Sequence, residues 1–239
     1  LWKKLESLET DMPLHMKELW QSLKEFVAAY VPPHSGSKSV IILYPLIEKA
    51  IADTRGNAPH RDIEFVLTGD GQAAILMDSV ILKDILMGLL KNAVENTPDG
   101  GRIEAAVSRN TDSVCVSITD YGTGITDTNQ PHIFEGFFHT QDTGLYGSRK
   151  VYDFGAGGKG LDLFQMKVYA RRFGFDISMT SSRCIYIPTD SDVCPGKISL
   201  CRHISGPEGC MESGATTFYL TFPVSKEYLK IDKDPMAGA

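Results

Sequence analysis

From Leu1 to Val27 the apolar residues Leu1, Leu5, Leu8, Met12, Leu19, Leu23, Phe26 and Val27 recur at helical spacing with charges between them, which predicts one or two amphipathic helices over 1–30. Pro13 begins or kinks a helix there, because it offers no N–H to the i−4 carbonyl. The breaker-rich stretch Val31-Pro-Pro-His-Ser-Gly-Ser-Lys38 follows and sets an expected boundary, with a helical segment and linker over 1–37 and the main domain over 38–239. Beyond it the pattern predicts a short apolar strand from Val40 to Leu43, a helix from near Pro45, and an alternating strand (Ile63, Phe65, Leu67) closed by the turn Thr68-Gly-Asp-Gly71. Asp78 reads as the N-cap of a long helix. Its apolar positions Ile81, Leu82, Ile85, Leu86, Leu89, Leu90 and Ala93 keep the helical period up to Asn96, where Pro98-Asp-Gly-Gly101 ends it.

A hairpin with one buried face comes next: Ile103, Ala105 and Val107 alternate with polar residues, and after Asn110-Thr-Asp112 so do Val114, Val116 and Ile118, up to Asp120. The glycine-rich connection from Tyr121 to Gly160 is far longer than an ordinary loop and reads as a functional lid. Leu161 to Phe173 predicts another helix, closed by Gly174. Phe175 to Thr180 and Thr216 to Pro223 read as neighbouring strands, separated by a cysteine-bearing insertion over 181–214. Strands and helices alternate without the period of a parallel βαβ array. The expected fold is therefore α+β, a two-layer α/β sandwich whose mixed sheet is covered on one face by helices.

Composition narrows the picture only a little. Twenty-four Lys and Arg stand against 30 Asp and Glu among 239 residues, a net charge of −6, which argues against a nucleic-acid partner. No apolar run is long enough for a membrane span, and the charged stretch over 1–30 reads neither as a signal nor as a transit peptide. The chain starts with Leu1, so a piece of a longer protein is expected. Five cysteines, an odd number, fit a reducing compartment and hence the cytoplasm, with membrane attachment of a longer protein left open.

Candidate chemistry gathers in three segments: Asn92 within Leu-Leu-Lys-Asn-Ala-Val-Glu-Asn-Thr-Pro, then Asp120-Tyr-Gly-Thr-Gly-Ile125, then Gly158-Lys-Gly-Leu-Asp-Leu163. A carboxylate at a strand end, Asp120, can accept a hydrogen bond from an exocyclic amine, and Gly122 and Gly124 leave room for a flat base. Asn92 can offer its amide oxygen to Mg²⁺, and Asn96, one turn on, can reach phosphates. Gly155, Gly157, Gly158 and Gly160 precede a helix start, where free N–H groups and the helix dipole favour a polyphosphate or, as hinges, a closing lid. Lys159, Arg149 and Lys150 are candidate cations for it.

These three segments resemble the N, G1 and G2 boxes of the GHKL ATPase superfamily. Ile133-Phe-Glu-Gly-Phe-Phe138 resembles the F box of its sensor histidine kinase branch, and Gly214-Ala-Thr-Thr-Phe218 a final G3 segment. The resemblance runs from Val40 to Val224 and implies a Bergerat-type fold that binds ATP and Mg²⁺ and transfers the γ-phosphate to a histidine on a helical hairpin. It implies that Asp120 selects adenine, that Asn92 holds Mg²⁺ and is catalytic, and that Asn96, Gly122, Gly124, Ile125, Gly158, Lys159, Gly160, Leu161 and Thr216 line the nucleotide. It also implies a response regulator as partner and a homodimer through the hairpin, of which 1–30 is the second half, with the acceptor upstream. His15 lacks the acceptor's sequence setting. Phe134, Phe137 and Phe138 are expected either to anchor the lid or to dock the acceptor helix.

Three positions depart from that pattern. Gly88 stands where relatives carry a polar residue, Glu95 where many kinases carry Lys, and Asp162 where the G2 pattern has its second glycine. Two added carboxylates repel a triphosphate unless they face away or help hold Mg²⁺. A non-catalytic, nucleotide-dependent switch is the alternative they raise. In the insertion, Cys184, Cys194, Cys201 and Cys210 form a candidate zinc or other metal site, with free structural thiols or redox-active thiols as the other readings; Cys115, on the hairpin, is expected to be buried.

Overall fold

The computed structural model describes residues 38–135, 150–157 and 161–224, all within the unit Lys38–Ala239. The helical segment over 1–37, His15, Phe137, Phe138, Arg149, Gly158, Lys159 and Gly160 lie outside the described residues.

Strand β1 (Ser39–Ile42) runs directly into helix α1 (Leu43–Asn57), two residues earlier than Pro45 suggested. Proline in the first helical turn sacrifices no hydrogen bond, since those N–H groups have no partner within the helix. Strand β2 (Ile63–Gly69) is followed by β3 (Ala74–Met77), which pairs antiparallel with β1 in a small second sheet, Ser39 opposite Met77. Nothing in the alternation announced β3: its four residues are an unbroken apolar run, three of them fully buried, and such a run carries no period. Helix α2 (Ser79–Asn96) starts as expected, with Asp78 Oδ1 accepting the N–H of Val80 at 2.9 Å and of Ile81 at 3.3 Å.

The main sheet has the order β2-β4-β5-β7-β6, with β4 (Gly101–Arg109), β5 (Ser113–Asp120), β6 (Asp176–Ser182) and β7 (Ala215–Pro223). β2 and β4 are parallel and every other pair is antiparallel, so the sheet is mixed. Register puts the apolar sets on one face: Ala105 opposite Ile118, Val107 opposite Val116, Val116 opposite Leu220, Ile118 opposite Phe218, and Ile177 opposite Leu220. That face forms one core with α1, α2 and α3 (Asp162–Phe173), including Ile47, Leu86, Leu90, Met166 and Tyr169. At about 25 cal/mol per Å² of apolar surface removed from water, this face holds the layers together. The hairpin and the two-layer sandwich therefore stand as expected, and Gly174, at φ 78°, closes α3 as a left-handed cap.

β6 extends two residues beyond its expected end, so the cysteine stretch covers 183–214. It holds only a three-residue 3-10 turn (Ile198–Leu200) and the short helix α4 (Pro207–Met211). Cys115, expected to be buried, is only partly so, because it lies on the alternate positions of β5; there it accepts from Thr221 Oγ1 at 3.9 Å. No helix among the described residues is long and apolar enough to cross a membrane.

Candidate nucleotide-binding site

Asp120 ends β5 and faces Thr216 across the β5/β7 ladder. It is only 4% exposed, and its Oδ1 has no hydrogen-bond partner among the described residues. Burial pushes the carboxyl up to about 8, and the N–H groups of Gly122 and of Asp120 itself offset this only in part. A buried polar oxygen without a partner is uncommon and costly, so this one marks a place for an external donor. An exocyclic amine fits it, since Oδ1 accepts whether or not the other oxygen carries a proton.

The loop after Asp120 is sewn to the end of α2. Thr123 N–H donates to the Asn96 carbonyl at 3.3 Å, and a Cβ on Gly122 would lie 2.1 Å from that same carbonyl oxygen. Gly124 sits at φ +63°, where a Cβ would lie 2.0 Å from the Ser182 carbonyl oxygen. The close approach that these two glycines permit is thus to the protein's own backbone, a correction to their reading as space left for a base. Asn92 is half-buried on α2; Asn96, a turn later, returns an Nδ2 hydrogen bond to the Asn92 carbonyl at 2.8 Å, so part of its donor capacity is spent within the helix.

Ser181 joins the remaining pieces, although nothing in its sequence context singled it out. Its hydroxyl donates to the Ala215 carbonyl at 2.9 Å and accepts the Ile125 N–H at 2.9 Å. Its single proton being used, the contact with Thr216 Oγ1 at 2.9 Å has Thr216 as donor, which leaves the Thr216 lone pairs open beside Asp120. Ser181 thereby links Ile125 to Thr216, which stands opposite Asp120. Leu161 is buried at the N-cap of α3.

The two unexpected carboxylates are both engaged. Glu95 accepts the Tyr152 N–H at 3.1 Å; burial raises its pKa, and Lys91 is the chief opposing influence. Asp162 accepts from Lys91 Nζ at 3.0 Å. Burial works against the Lys91 charge, yet Glu95 and Asp162 outweigh it and hold the ammonium above its ordinary pKa. One lysine thus pairs with Asp162 and attracts Glu95, and it offsets one of the two negative charges that these residues bring. Gly88 faces Met166 of α3, whose Cε would lie 2.5 Å from an added Cβ, so the glycine lets two helices close.

Residues 150–157 are pinned down by Arg61, which stands in no motif or periodic pattern of the sequence. Its guanidinium, 4% exposed at the side chain, donates to Val94 O at 2.8 Å, Tyr152 O at 2.7 Å and Thr97 O at 2.7 Å, and pairs with Asp99 Oδ1 at 2.8 Å. It caps the last carbonyls of α2 and holds Tyr152, at φ 72°, in the left-handed region. His60 reaches Asp153 at 3.0 Å. Gly155 donates its N–H to the Glu95 carbonyl at 2.6 Å, so that donor serves the fold and is not part of a phosphate cradle. Lys150 donates its own N–H to Asp153 at 2.9 Å and keeps its exposed side chain for solvent or ligand. Phe134 packs edge-on to Phe218 at 6.3 Å, which makes it an anchor of the segment to the core.

The four insertion cysteines line one cavity behind this loop, and among the described residues no three His, Cys, Asp or Glu side chains are gathered closely enough to hold a metal ion. Burial raises the Cys194 thiol and pushes Cys210 up to about 11, the neighbouring thiols adding to both shifts. These are neutral thiols at pH 7, poor nucleophiles in this state.

The sensor protein FixL of Bradyrhizobium diazoefficiens is 30% identical to this chain over 139 residues, which cover 56% of the chain and 27% of FixL. Sporulation kinase A of Bacillus subtilis is 31% identical over 124 residues, covering 51% of this chain and 20% of that one. The chain thus spans about a quarter of FixL. Among solved structures, the mycobacterial sensor histidine kinase MprB matches with a TM-score of 0.53 at 20% identity, over 78% of this chain and 97% of that one. Full-length ShkA in complex with AMPPNP matches with a TM-score of 0.58 at 18% identity, over 88% and 36%. At these identities the structural likeness carries the fold. Membership comes from the sequence itself: the model of the histidine kinase-, DNA gyrase B- and HSP90-like ATPases matches residues 77–226, more than half of the chain, and the protein belongs to that family.

Proposed function

We propose that this chain carries the ATP-binding catalytic domain of a two-component sensor histidine kinase. The observation that carries the reading is the unpartnered, buried Asp120 oxygen at the end of β5, beside Thr216 and the Gly122–Thr123 loop. Asp120 takes the adenine amine, and Asn92 offers its amide oxygen to a magnesium ion carried with the phosphates. Gly158, Lys159 and Gly160, ahead of Leu161 and α3, supply N–H groups and a cation to the phosphates.

The domain orients the γ-phosphate and neutralises charge, while a histidine nitrogen on a helical hairpin forms the new P–N bond as the bond to ADP breaks. Residues 1–37 belong to that dimerising hairpin in this reading and 38–239 to the ATP domain, on the cytoplasmic side, with a response regulator receiving the phosphoryl group. The names of the relatives support a kinase over a passive switch, and the pairing of Asp162 with Lys91 lessens the objection that the two carboxylates raise to phosphate binding. Calorimetric titration with Mg-ADP tests the pocket: saturable binding is expected, weakened at least tenfold by Asp120→Asn, and a folded chain that does not bind overturns the reading. Labelled ATP then tests transfer in a longer protein bearing the hairpin. Binding without labelling defeats the kinase assignment.

A further inference from the structure

Four of the five cysteines fall within 183–214, and the fold brings all four to one cavity of about 220 Å³. They arrive from separate places: Cys184 just after β6, Cys194 in an irregular segment, Cys201 after the Ile198–Leu200 turn, and Cys210 within α4. All are free and partly exposed. None of the described residues lining the cavity is an acid; Lys197 and Arg202 stand at its wall, and most of the rest is apolar.

Size decides what such a site takes. A single zinc ion, at about 2.3 Å from each sulfur, draws four thiolates to roughly 3.8 Å of one another and leaves no space between them. Here no three ligand side chains are so gathered among the described residues, yet the four cysteines line one cavity, near enough for Cys184, Cys194 and Cys201 to act on the Cys210 thiol. That arrangement suits a ligand larger than an ion and bound by thiolate alone. We propose that Cys184, Cys194, Cys201 and Cys210 hold a cubane iron–sulfur cluster in this cavity, one thiolate to each iron. Four Fe–S bonds form as the cluster's four labile terminal ligands are released and four thiol protons pass to solvent, with no change of oxidation state in that step. The double negative charge of the thiolate-ligated cluster is offset by Lys197 and Arg202.

A second consequence follows from the cavity wall, which includes Gly122 and Thr123. Cys184 N–H bonds to the Thr123 carbonyl at 3.0 Å, and Cys210 Sγ approaches the Tyr121 carbonyl at 3.9 Å. The cluster sits directly behind the loop that follows Asp120 and braces it. The assignment of the cluster does not rest on the nucleotide reading.

The test is iron and acid-labile sulfide analysis of the chain purified without oxygen, then reconstituted with ferric iron and sulfide in the presence of a dithiol, which reduces half of the iron. About four iron and four sulfide per chain are expected, with visible absorbance that dithionite bleaches. Cys184→Ser and Cys201→Ser should each lower the iron content at least fivefold with unchanged circular dichroism, while Cys115→Ser leaves it intact. Less than a tenth of an equivalent of iron after reconstitution overturns the proposal. So does a stoichiometric zinc content that iron does not displace, or mass spectrometry showing the four cysteines paired as disulfides. The measurement on the unaltered chain decides the matter even where a cysteine variant does not fold.

Discussion

The helix-covered face of the main sheet and the cysteine stretch over 183–214 are held together by different means. On the sheet, Val107, Val116, Ile118, Leu220 and Phe218 meet in register and bury almost completely against α1, α2 and α3. In the cysteine stretch the apolar residues Ile185, Val193 and Leu200 are exposed, by 67%, 81% and 62%, and the chain is tied instead by polar groups. Arg183 alone donates to the carbonyls of Ile187, Gly124 and Thr189. Apolar burial is non-directional and sums over a surface, whereas a few directed hydrogen bonds fix a path without adding much stability. The sheet therefore supplies the stability, and the irregular segments around Asp120 supply geometry.

The largest effect should come from the first region. Leu86→Ala, at a fully buried position of α2, is expected to cost about 3 kcal/mol through lost transfer energy and an unfilled cavity, seen as a lowered denaturation midpoint of the whole domain. A cost below about 1 kcal/mol would show that the core is looser than its burial indicates.

Asp120 brings the two regions together, and its burial predicts a pH dependence that is smaller per pH unit than the cost at Leu86. Its carboxyl titrates near 3.8 when unfolded and at about 8 in the fold, so the folded state binds the extra proton between those values. Stability must then fall as pH rises from about 4 to 8, by at most ~1.4 kcal/mol per pH unit, and Asp120→Asn should remove that slope. Chemical denaturation across this range reads it directly, and identical slopes for the two proteins would mean that the carboxyl is better solvated than its position implies.

The same contrast explains what could be read from the sequence. Alternation in Ile103–Val107 and Val114–Ile118, the helical period of Ile81–Ala93 and the cap at Asp78 are local signals, and each element they announce is present. Asp120 and Thr216 could be named from motifs, yet their partnership through Ser181 depends on β6 lying beside β7, a long-range fact. Arg61 gave no signal, because a buried arginine that collects the carbonyls of Val94, Thr97 and Tyr152 shows no periodicity. β3 lacked alternation, and the consequence of Glu95 and Asp162 hung on Lys91, which a count of charges cannot pair.

A smaller and local effect is expected in the cysteine stretch. Arg183→Met removes three directed hydrogen bonds, each with a net value of roughly 1 kcal/mol, but partly exposed carbonyls recover water. A loss of about 1 to 2 kcal/mol is expected, with hydrogen exchange accelerated at Cys184 and Ile187 and unchanged at Val116. Uniform acceleration, Val116 included, would show that the stretch and the sheet unfold as one unit.

The smallest effect should fall where the helices meet. Gly88→Ala gains about 1 kcal/mol of helix propensity in the interior of α2. Against that, the new methyl would lie 2.5 Å from Met166 Cε, a contact that requires a shift. The obstacle is the far end of an unbranched side chain with three rotatable bonds, which can swing aside for less than a rigid neighbour would demand. The two terms nearly cancel, so the melting midpoint should move by less than the equivalent of about 1 kcal/mol in either direction. A loss beyond 2 kcal/mol would mean that Met166 has nowhere to go, and Gly88→Ala combined with Met166→Ala would then recover part of that loss, since the second change removes the colliding atom.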